Sequence, residues 1–427
     1  MATMVSMFRG LKILSIAAAV VIVGYLLFEI VRPGNRVILG EADTAPERPA
    51  RTLSLEERVK LAKERSENVK GLYVTAAVAN DQGRPATALR EKILSIADTT
   101  EINAVVIDVK ETAGSEITLN LKPFLEELKA KNVWTIARIA SFRDNSVVKD
   151  HPEWYLLRAD GRVWRDNKGN AWLDPMSPGA REYLMKFSKE VVDLGFDELQ
   201  YDYIRFPSDG DTKAIVYPAY QPDQMKKYEA LKDFFTFLHR EMKSYRPDLI
   251  LSVDLFGQIA IESNDLGIGQ RLVDIGSYFD YVSLMLYPSH FYSGFYVPAD
   301  SVRGLAAVSL PYRAKVSIAT VSAQPYEVIY RSLLRAEDVL SGSAATSTYA
   351  TNSGETSSTT PVVDAKSHAK LRPWLQDFDL SADSSRGIYY DAKAVRAEID
   401  AAEKADASGW LLWSPTNTYT ETALKKK

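Results

Sequence analysis

The chain has 427 residues, of which 46% are hydrophobic and 25% charged, with a formal net charge of -4 at pH 7. This length and composition exclude disorder throughout the chain and provide apolar material for one large core. The two signs of charge are interspersed without a long basic stripe, which argues against a nucleic-acid partner, and the sequence has no cysteine for disulfides or thiolate metal sites.

The first predicted element is an uncharged apolar run over residues 13–28, between Lys12 and Glu29. As a helix it would span roughly 24 Å at about 1.5 Å per residue, slightly less than a bilayer core, and the flanking charges can reach the interfaces. A membrane anchor over residues 1–31 is favoured over a cleaved signal peptide, because no clear cleavage site follows closely. Both alternatives predict an extracytoplasmic main domain, either on a single-pass membrane protein or secreted.

A polar segment over residues 32–67 follows and is predicted to be a stalk or linker. It contains Pro33, Pro46 and Pro49, and then helically spaced apolar residues between 53 and 61. We expect one short helix here, and a stalk that holds the main domain away from the membrane.

Residues 68–427 alternate short β-branched and aromatic runs with helical stretches, which is typical of βα units around a parallel sheet. Eight predicted strands suggest a closed (β/α)8 barrel of the TIM type, covered by helices. An open doubly wound sheet is the alternative, but no glycine-rich phosphate turn follows the first strand. The predicted strands cover residues 72–79, 104–110, 133–140, 198–206, 250–257, 281–288, 371–376 and 410–415.

Amphipathic patterns predict crossover helices over residues 178–195, 224–245 and 325–340. Residues 314–321 could form a ninth strand, but we assign them to an ordered loop. The segment 341–360 is rich in Ser and Thr and nearly free of large apolar side chains, so it is predicted to be a flexible insertion.

Polar side chains stand near the carboxyl ends of the predicted strands, where barrels of this type build their active sites. A carboxylate in an apolar strand is costly to bury unless it is paired, so Asp108, Asp202 and Asp254 predict a functional cluster. The alternative is a structural ion-pair network in which Arg138 and Arg205 neutralise Asp108 and Asp202. Further residues predicted at this face are Lys110, Glu111, Tyr287, Gln376, Asp377 and Trp413.

Aromatic residues are also frequent in the predicted loops at this face, and sugar rings stack on such surfaces. The loop 151–175 is long, polar and aromatic, as substrate-covering loops often are. The aromatic residues concerned are Trp154, Tyr155, Trp164, Trp172, Tyr201, Tyr203, Tyr287, Tyr292, Tyr296, Trp374 and Trp413.

The segment YDYIRFP at residues 201–207 is the most specific part of a likeness to a known family. The chain resembles a glycoside hydrolase-like barrel family that carries a domain-of-unknown-function label and is related in fold to α-amylase-type barrels. The resemblance implies a barrel, a carbohydrate substrate, and Asp202 in the place of a strand-four nucleophile or base. The other matching segments are 108–114, 138–145, 151–161, 372–378 and 409–419.

The likeness departs from the α-amylase pattern at two strands. Asp254 stands where that type has a glutamate acid after strand five, and Gln376 and Asp377 stand where it has Asn-His-Asp at strand seven. We therefore do not expect membership of an amylase family, and Asp254 is the nearest counterpart of the acid.

The combined prediction is hydrolysis of a glycosidic bond in a cell-envelope or extracellular polysaccharide by two carboxylates. Asp202 would be nucleophile or base, and Asp254 the acid, with a pKa raised by burial near Asp202. The alternative is a non-catalytic carbohydrate-binding barrel. We expect no cofactor, and no metal, because no two histidines have helical ligand spacing; this also argues against a metal-dependent deacetylase. The predicted substrate-binding residues are Asp108, Glu111, Arg138, Tyr203, Arg205, Tyr287, Gln376 and Trp413, the last as a stacking floor.

Overall fold

The computed structural model describes residues 53–262, 264–314, 319–343 and 369–427. The predicted anchor, most of the predicted stalk, the centre of the possible ninth strand and nearly all of the predicted insertion lie outside these ranges. Within the described ranges, no helix combines the length and the apolar character that crossing a membrane requires.

Eight parallel strands close into a barrel, because β1 pairs in parallel with both β2 and β8. The runs of β-branched and aromatic residues therefore form strands where the pattern predicted them, and the closed barrel is confirmed. A short additional strand, Lys370–Leu371, pairs with β6 just before β7. Strands β1 to β8 are Val69–Val74, Ala104–Glu111, Trp134–Ala140, Glu198–Asp202, Ile250–Phe256, Tyr281–Met285, Trp374–Gln376 and Gly409–Trp413.

Helices surround the strands, and the three helices predicted from their amphipathic pattern are confirmed. One of these, α5, begins after the cap Ser177 and ends at Gly195, whose φ of 96° is typical of a glycine that terminates a helix. Between β5 and β6 the described residues form two 3-10 turns, Gly257–Ala260 and Leu272–Asp274, in place of an α-helix. The described helices α1 to α9 are Leu55–Ser66, Ala76–Asn80, Arg84–Thr99, Leu121–Ala130, Pro178–Leu194, Lys227–Tyr245, Pro325–Leu340, Ser381–Ser384 and Ala392–Lys404.

β1 and β4 end further before the predicted residue than any other strand of the barrel. β1 stops at Val74 because Thr75 caps α2, its Oγ1 accepting a hydrogen bond from the Val78 amide. β4 stops at Asp202 because Tyr203 has a φ of 49°, in the left-handed region that cannot continue a strand. The predicted strand residues after Val74 and Asp202 therefore belong to a helix and a loop.

Helix α1 lies at the amino-terminal end of the barrel, in the segment predicted as a stalk. Its last residue, Ser66, hydrogen-bonds through Oγ to the Tyr281 hydroxyl at 2.8 Å. The Ser66 carbonyl accepts a hydrogen bond from Arg372 Nη2 at 2.7 Å. Residues Ser54–Lys427 form one compact unit, to which this helix belongs.

The barrel interior forms a small core of its own, distinct from the core between strands and helices. Alternate residues of each strand point inwards, as the pleat requires. Towards the carboxyl ends, the same alternation places charged side chains of β2 to β5 inside the barrel. The inner core contains Val69, Tyr73, Ala104, Val106, Trp134, Ile136, Ile250, Tyr281, Tyr287, Trp374 and Leu411.

Candidate active site

Four strands bring charged side chains to one point inside the barrel, near the carboxyl ends. Arg138 of β3 donates from Nη1 to Asp108 Oδ1 of β2 at 2.6 Å and from Nη2 to Asp202 Oδ2 of β4. Its Nε lies 3.4 Å from Asp254 Oδ2 of β5. None of the four residues is more than 8% exposed. The structure thus brings Asp108, Asp202 and Asp254 together, as predicted, around Arg138.

One guanidinium cannot balance three carboxylates, and buried net charge is costly, so proton uptake is favoured. Burial and then the charge of Asp202 hold the pKa of Asp254 well above its ordinary value. Arg138 and a hydrogen bond from Trp374 Nε1, 2.8 Å from Asp254 Oδ1, act in the opposite direction without cancelling the effect. Asp254 therefore favours its protonated form.

Asp108 accepts hydrogen bonds from Arg138 and from Tyr73, whose ring stacks on Trp413. The Tyr73 hydroxyl donates to Asp108 Oδ2 at 2.5 Å, and burial followed by the charge of Asp108 raises the pKa of Tyr73. Tyr73 is therefore a neutral donor. The ring of Trp413 stacks on that of Tyr73 with centroids 3.9 Å apart, and Arg138 lies 5.3 Å from the Trp413 centroid. Trp413 thus borders the carboxylate cluster.

Asp202 is fixed by the unusual backbone that follows it. The Tyr203 amide donates to Asp202 Oδ1 at 2.5 Å, while Asp202 Oδ2 accepts from Arg138. A tyrosine in the left-handed region is strained, and such strain is concentrated at functional sites. The turn at Tyr203 therefore orients the carboxylate at the end of β4.

Glu111, at the end of β2, is a second carboxyl of this region whose pKa is raised. Burial, and then the charges of Asp108 and Glu116, raise the pKa of Glu111. Unlike Asp254, this side chain is only partly buried. Glu111 therefore stands at the edge of the cluster as a carboxyl within easier reach of solvent.

Arg205 forms no direct ion pair with Asp202, in contrast to the ion-pair alternative, although the charge of Asp202 favours the charged form of Arg205. Its Nη1 donates to the Phe206 carbonyl at 3.0 Å and to Ser208 Oγ at 3.2 Å. Only Arg138 makes ion pairs with the three aspartates among the described residues. The side chain of Arg205 lies beside Tyr203, with its guanidinium carbon 5.5 Å from that ring centroid.

Gln376, the last residue of β7, and Asp377, which follows it, form hydrogen bonds with loop residues. Gln376 Oε1 accepts from Ser289 Oγ at 2.8 Å, and its Nε2 donates to the Phe378 carbonyl at 2.9 Å. Asp377 accepts from the backbone and hydroxyl of Thr420 at 2.8 and 2.7 Å. Both side chains are therefore engaged away from Arg138, which explains why they do not join the carboxylate cluster.

Of two other predicted residues, Tyr287 lies close to the cluster and Lys110 belongs to a separate ion pair. Tyr287 is buried, and burial followed by the charge of Asp254 raises its pKa, so it is a neutral phenol close to the cluster. Lys110 forms a fully buried ion pair with Asp144 at 2.7 Å and donates to the Ala140 carbonyl. Sequence reasoning did not find Asp144, because Asp144 lies in a loop whose path the strand pattern does not determine.

The aromatic side chains of loop 151–175 pack largely inwards. Tyr155, Trp164 and Trp172 are each at most 2% exposed, and they belong to the main hydrophobic core. The prediction of an aromatic substrate platform on this loop is therefore wrong for these three rings. Tyr201 is likewise buried, and its hydroxyl donates to Ser188 Oγ on α5 at 3.0 Å.

Comparison with known proteins yields a family and a fold. Residues 71–419 match the model of a family described as "Putative glycosyl hydrolase domain". The glycoside hydrolase domain of PgaB (BpsB) from Bordetella bronchiseptica is similar in structure, with a TM-score of 0.51 and 13% identity over 82% of this chain and 94% of that domain. At this identity the likeness shows the barrel fold alone.

A second solved structure has higher sequence identity over a shorter stretch. A hypothetical protein from Ruminiclostridium thermocellum ATCC 27405 is 27% identical, with a TM-score of 0.37, over 46% of this chain and 98% of that protein. No curated protein matches the chain.

Proposed function

The chain belongs to the family described as "Putative glycosyl hydrolase domain", and from that premise we propose that its barrel hydrolyses a glycosidic bond in a cell-envelope or extracellular polysaccharide. The observation that carries the proposal is the meeting of three carboxylates on Arg138 at the carboxyl ends of β2 to β5. Glycosidases use a protonated and an ionised carboxyl on opposite sides of the scissile bond.

In the proposed reaction, Asp254 gives its proton to the glycosidic oxygen as the bond to the anomeric carbon breaks. In one route Asp202 attacks the anomeric carbon and forms a glycosyl ester, which water then hydrolyses while Asp254, now a carboxylate, takes the proton of that water. In the other route Asp202 takes a proton from a water that attacks the anomeric carbon directly, and in both routes Arg138 orients the Asp202 carboxylate. Positive charge develops on the sugar ring in this step, and the carboxylate of Asp202 stabilises it. Asp108, held by Tyr73 and Arg138, would position the guanidinium.

A second candidate function is glycan binding without cleavage. It is favoured by the burial of Asp254, which is 1% exposed and whose two oxygens face Trp374 and Arg138. An acid must reach the leaving oxygen, so a proton donor this enclosed needs either a movement or a different acid. Glu111 is the carboxyl at the edge of the cluster that could take that role.

The deciding experiment is a screen of the full-length protein on a panel of polysaccharides, with new reducing ends and binding both measured. Release of reducing ends by the wild type, and its loss in Asp202→Asn, supports hydrolysis. Saturable binding without any release supports the binding barrel instead. A panel that is neither bound nor cleaved would contradict both candidates.

We also propose that the barrel is extracytoplasmic, on a single-pass membrane protein. The support is the uncharged apolar run over residues 13–28 between charged flanks. Full-length protein should then pellet with membranes from its native host. A soluble mature protein that begins after residue 40 would instead support the secreted alternative.

A further inference from the structure

Arg205 is a buried cation that forms no direct ion pair with a described residue, although the charge of Asp202 is near enough to favour its charged form. It is 7% exposed and uses Nη1 for the Phe206 carbonyl and Ser208 Oγ. Its Nε and Nη2 donate to no described residue. A buried guanidinium with unused N–H groups is costly, so these free donors indicate a ligand.

Aromatic rings hold this guanidinium in place. Its carbon lies 4.5 Å from the centroid of Phe256, 4.9 Å from that of Trp172 and 5.5 Å from that of Tyr203. Contacts with ring faces compensate part of the burial cost and fix the orientation. They supply no oxygen acceptors for the remaining N–H groups.

A second guanidinium contacts the same tyrosine. Arg143 lies 3.6 Å from the Tyr203 centroid and donates from Nε to Thr112 Oγ1 at 2.9 Å, and it too forms no ion pair within the described residues. Burial lowers the pKa of Arg205 to about 10 although the charge of Asp202 acts in the opposite direction, and the nearby charge of Arg143 adds to the lowering. Two cations thus stand together, partly against their mutual repulsion, beside Asp202.

We propose that Arg143 and Arg205 form a subsite for the carboxylate of a hexuronic acid residue in the substrate. This inference rests on the proposed function and specifies its substrate class. The planar N–H edge of a guanidinium matches a carboxylate, which can accept two hydrogen bonds from it. An acidic sugar would be repelled by the negative excess of the cluster around Arg138, and the two arginines offset that repulsion.

The test is a binding panel in which each uronate-containing oligosaccharide is paired with its carboxyl-reduced counterpart. We expect the tightest ligand of the full-length protein to contain a uronate, and its reduced counterpart to bind about tenfold weaker or worse. A neutral tightest ligand, equal binding of the two members of a pair, or preference for a sulfated sugar would overturn the inference. If the protein gives one of these results but cleaves neutral glycans, the uronate subsite is wrong and the proposed hydrolysis still holds. A panel without any bound or cleaved member would contradict both.

Three variants separate a specific subsite from a structural role. Arg143→Gln and Arg205→Met should each weaken uronate binding by about tenfold or more while changing the affinity for the reduced counterpart little. Arg205→Lys, which keeps the charge, should recover part of the lost affinity. The exposed Arg240 of α6 offers the control Arg240→Gln, which should bind both sugars as the wild type does. An equal loss for both members of a pair would show that the arginines only support the fold.

Discussion

The barrel interior contains a buried charge cluster at each end, and the two differ in their charge balance. At the amino-terminal end, Glu198 and Arg372 are both fully buried, and Arg372 Nη1 lies 3.0 and 2.8 Å from the two Glu198 oxygens. Trp134 Nε1 also donates to Glu198, and the Ser66 carbonyl accepts from Arg372. At the carboxyl end, Arg138 faces three aspartates.

This difference in charge balance distinguishes an ion pair that stabilises the fold from a cluster of side chains that can react. In the amino-terminal cluster one carboxylate faces one guanidinium and their hydrogen bonds are satisfied, so no charge excess is left for a ligand to relieve. Three carboxylates on one guanidinium retain a negative excess, which a bound proton or a developing positive charge on a sugar relieves. We therefore assign stability to the amino-terminal cluster and chemistry to the cluster around Arg138.

The largest expected effect is on rate, in the variant Asp202→Asn. Asn keeps the shape and removes the charge that the proposed transition state requires, so hydrolysis should fall by about a thousandfold or more. The melting temperature should remain near that of the wild type. Asp377→Asn is the matched control, because Asp377 is a buried carboxyl outside the cluster and its loss should leave the rate nearly unchanged. Full activity of Asp202→Asn would remove the basis for the enzyme proposal.

The amino-terminal cluster should show the reverse pattern. Glu198→Gln leaves the Arg372 charge buried without its counterion, and the free energy of unfolding should fall by about 3–5 kcal/mol. The folded fraction should hydrolyse substrate at a rate close to that of the wild type. Urea unfolding and initial rates below the transition measure the two quantities. A large loss of rate without loss of stability would contradict the division between the two clusters.

A smaller and substrate-dependent effect should distinguish the acid. Asp254→Asn should slow hydrolysis strongly for ordinary glycosides but much less for nitrophenyl glycosides, because an acidic leaving group needs less protonation. Glu111→Gln is the matched variant, since Glu111 is a carboxyl at the edge of the cluster whose pKa is also raised. If only the Glu111 variant shows this dependence on the leaving group, the acid is Glu111.

The smallest effect should come from deleting the segment 341–360, whose composition is unlike that of the two charged clusters. Residues 341–360 contain too few large apolar side chains to offset the entropy of ordering. Deleting them should shift the melting temperature little and leave the rate unchanged. A large loss of stability would show that the segment packs on the barrel.

Local sequence patterns predicted the strands well and their ends poorly. Apolar runs identify buried strands, but β1 and β4 end through the cap of Thr75 and the left-handed turn at Tyr203, which depend on the folded surroundings. The presence of a carboxylate in an otherwise apolar strand was enough to predict Asp108, Asp202 and Asp254. It did not distinguish Arg138 from Arg205 as their partner.

Local sequence patterns could not identify ion pairs between residues that are distant in the chain. Glu198 and Arg372 stand 174 positions apart, and only the barrel closure brings them together. Tyr73 was missed because an aromatic residue in a strand is most often core. The available signal was the alternation along β1, which places Tyr73 on the same inner face as Val69.

The pH dependence of stability follows from the raised pKa of Asp254. The folded state keeps this proton at pH values where the unfolded chain has lost it, so the contribution is fully present below the ordinary aspartate pKa. It is lost as the pH rises through the higher folded-state value. The pH profile of the melting temperature should therefore be flatter in Asp254→Asn than in the wild type.

The most direct test of the charge imbalance is an NMR titration of the Asp254 carboxyl carbon in the folded protein, in the wild type and in Asp202→Asn. The wild type should titrate well above the ordinary aspartate range. Removing the charge of Asp202 should lower the pKa of Asp254 while the signal of Glu198 stays unchanged. An Asp254 that titrates in the ordinary range in the wild type, or that is indifferent to Asp202→Asn, would contradict the account.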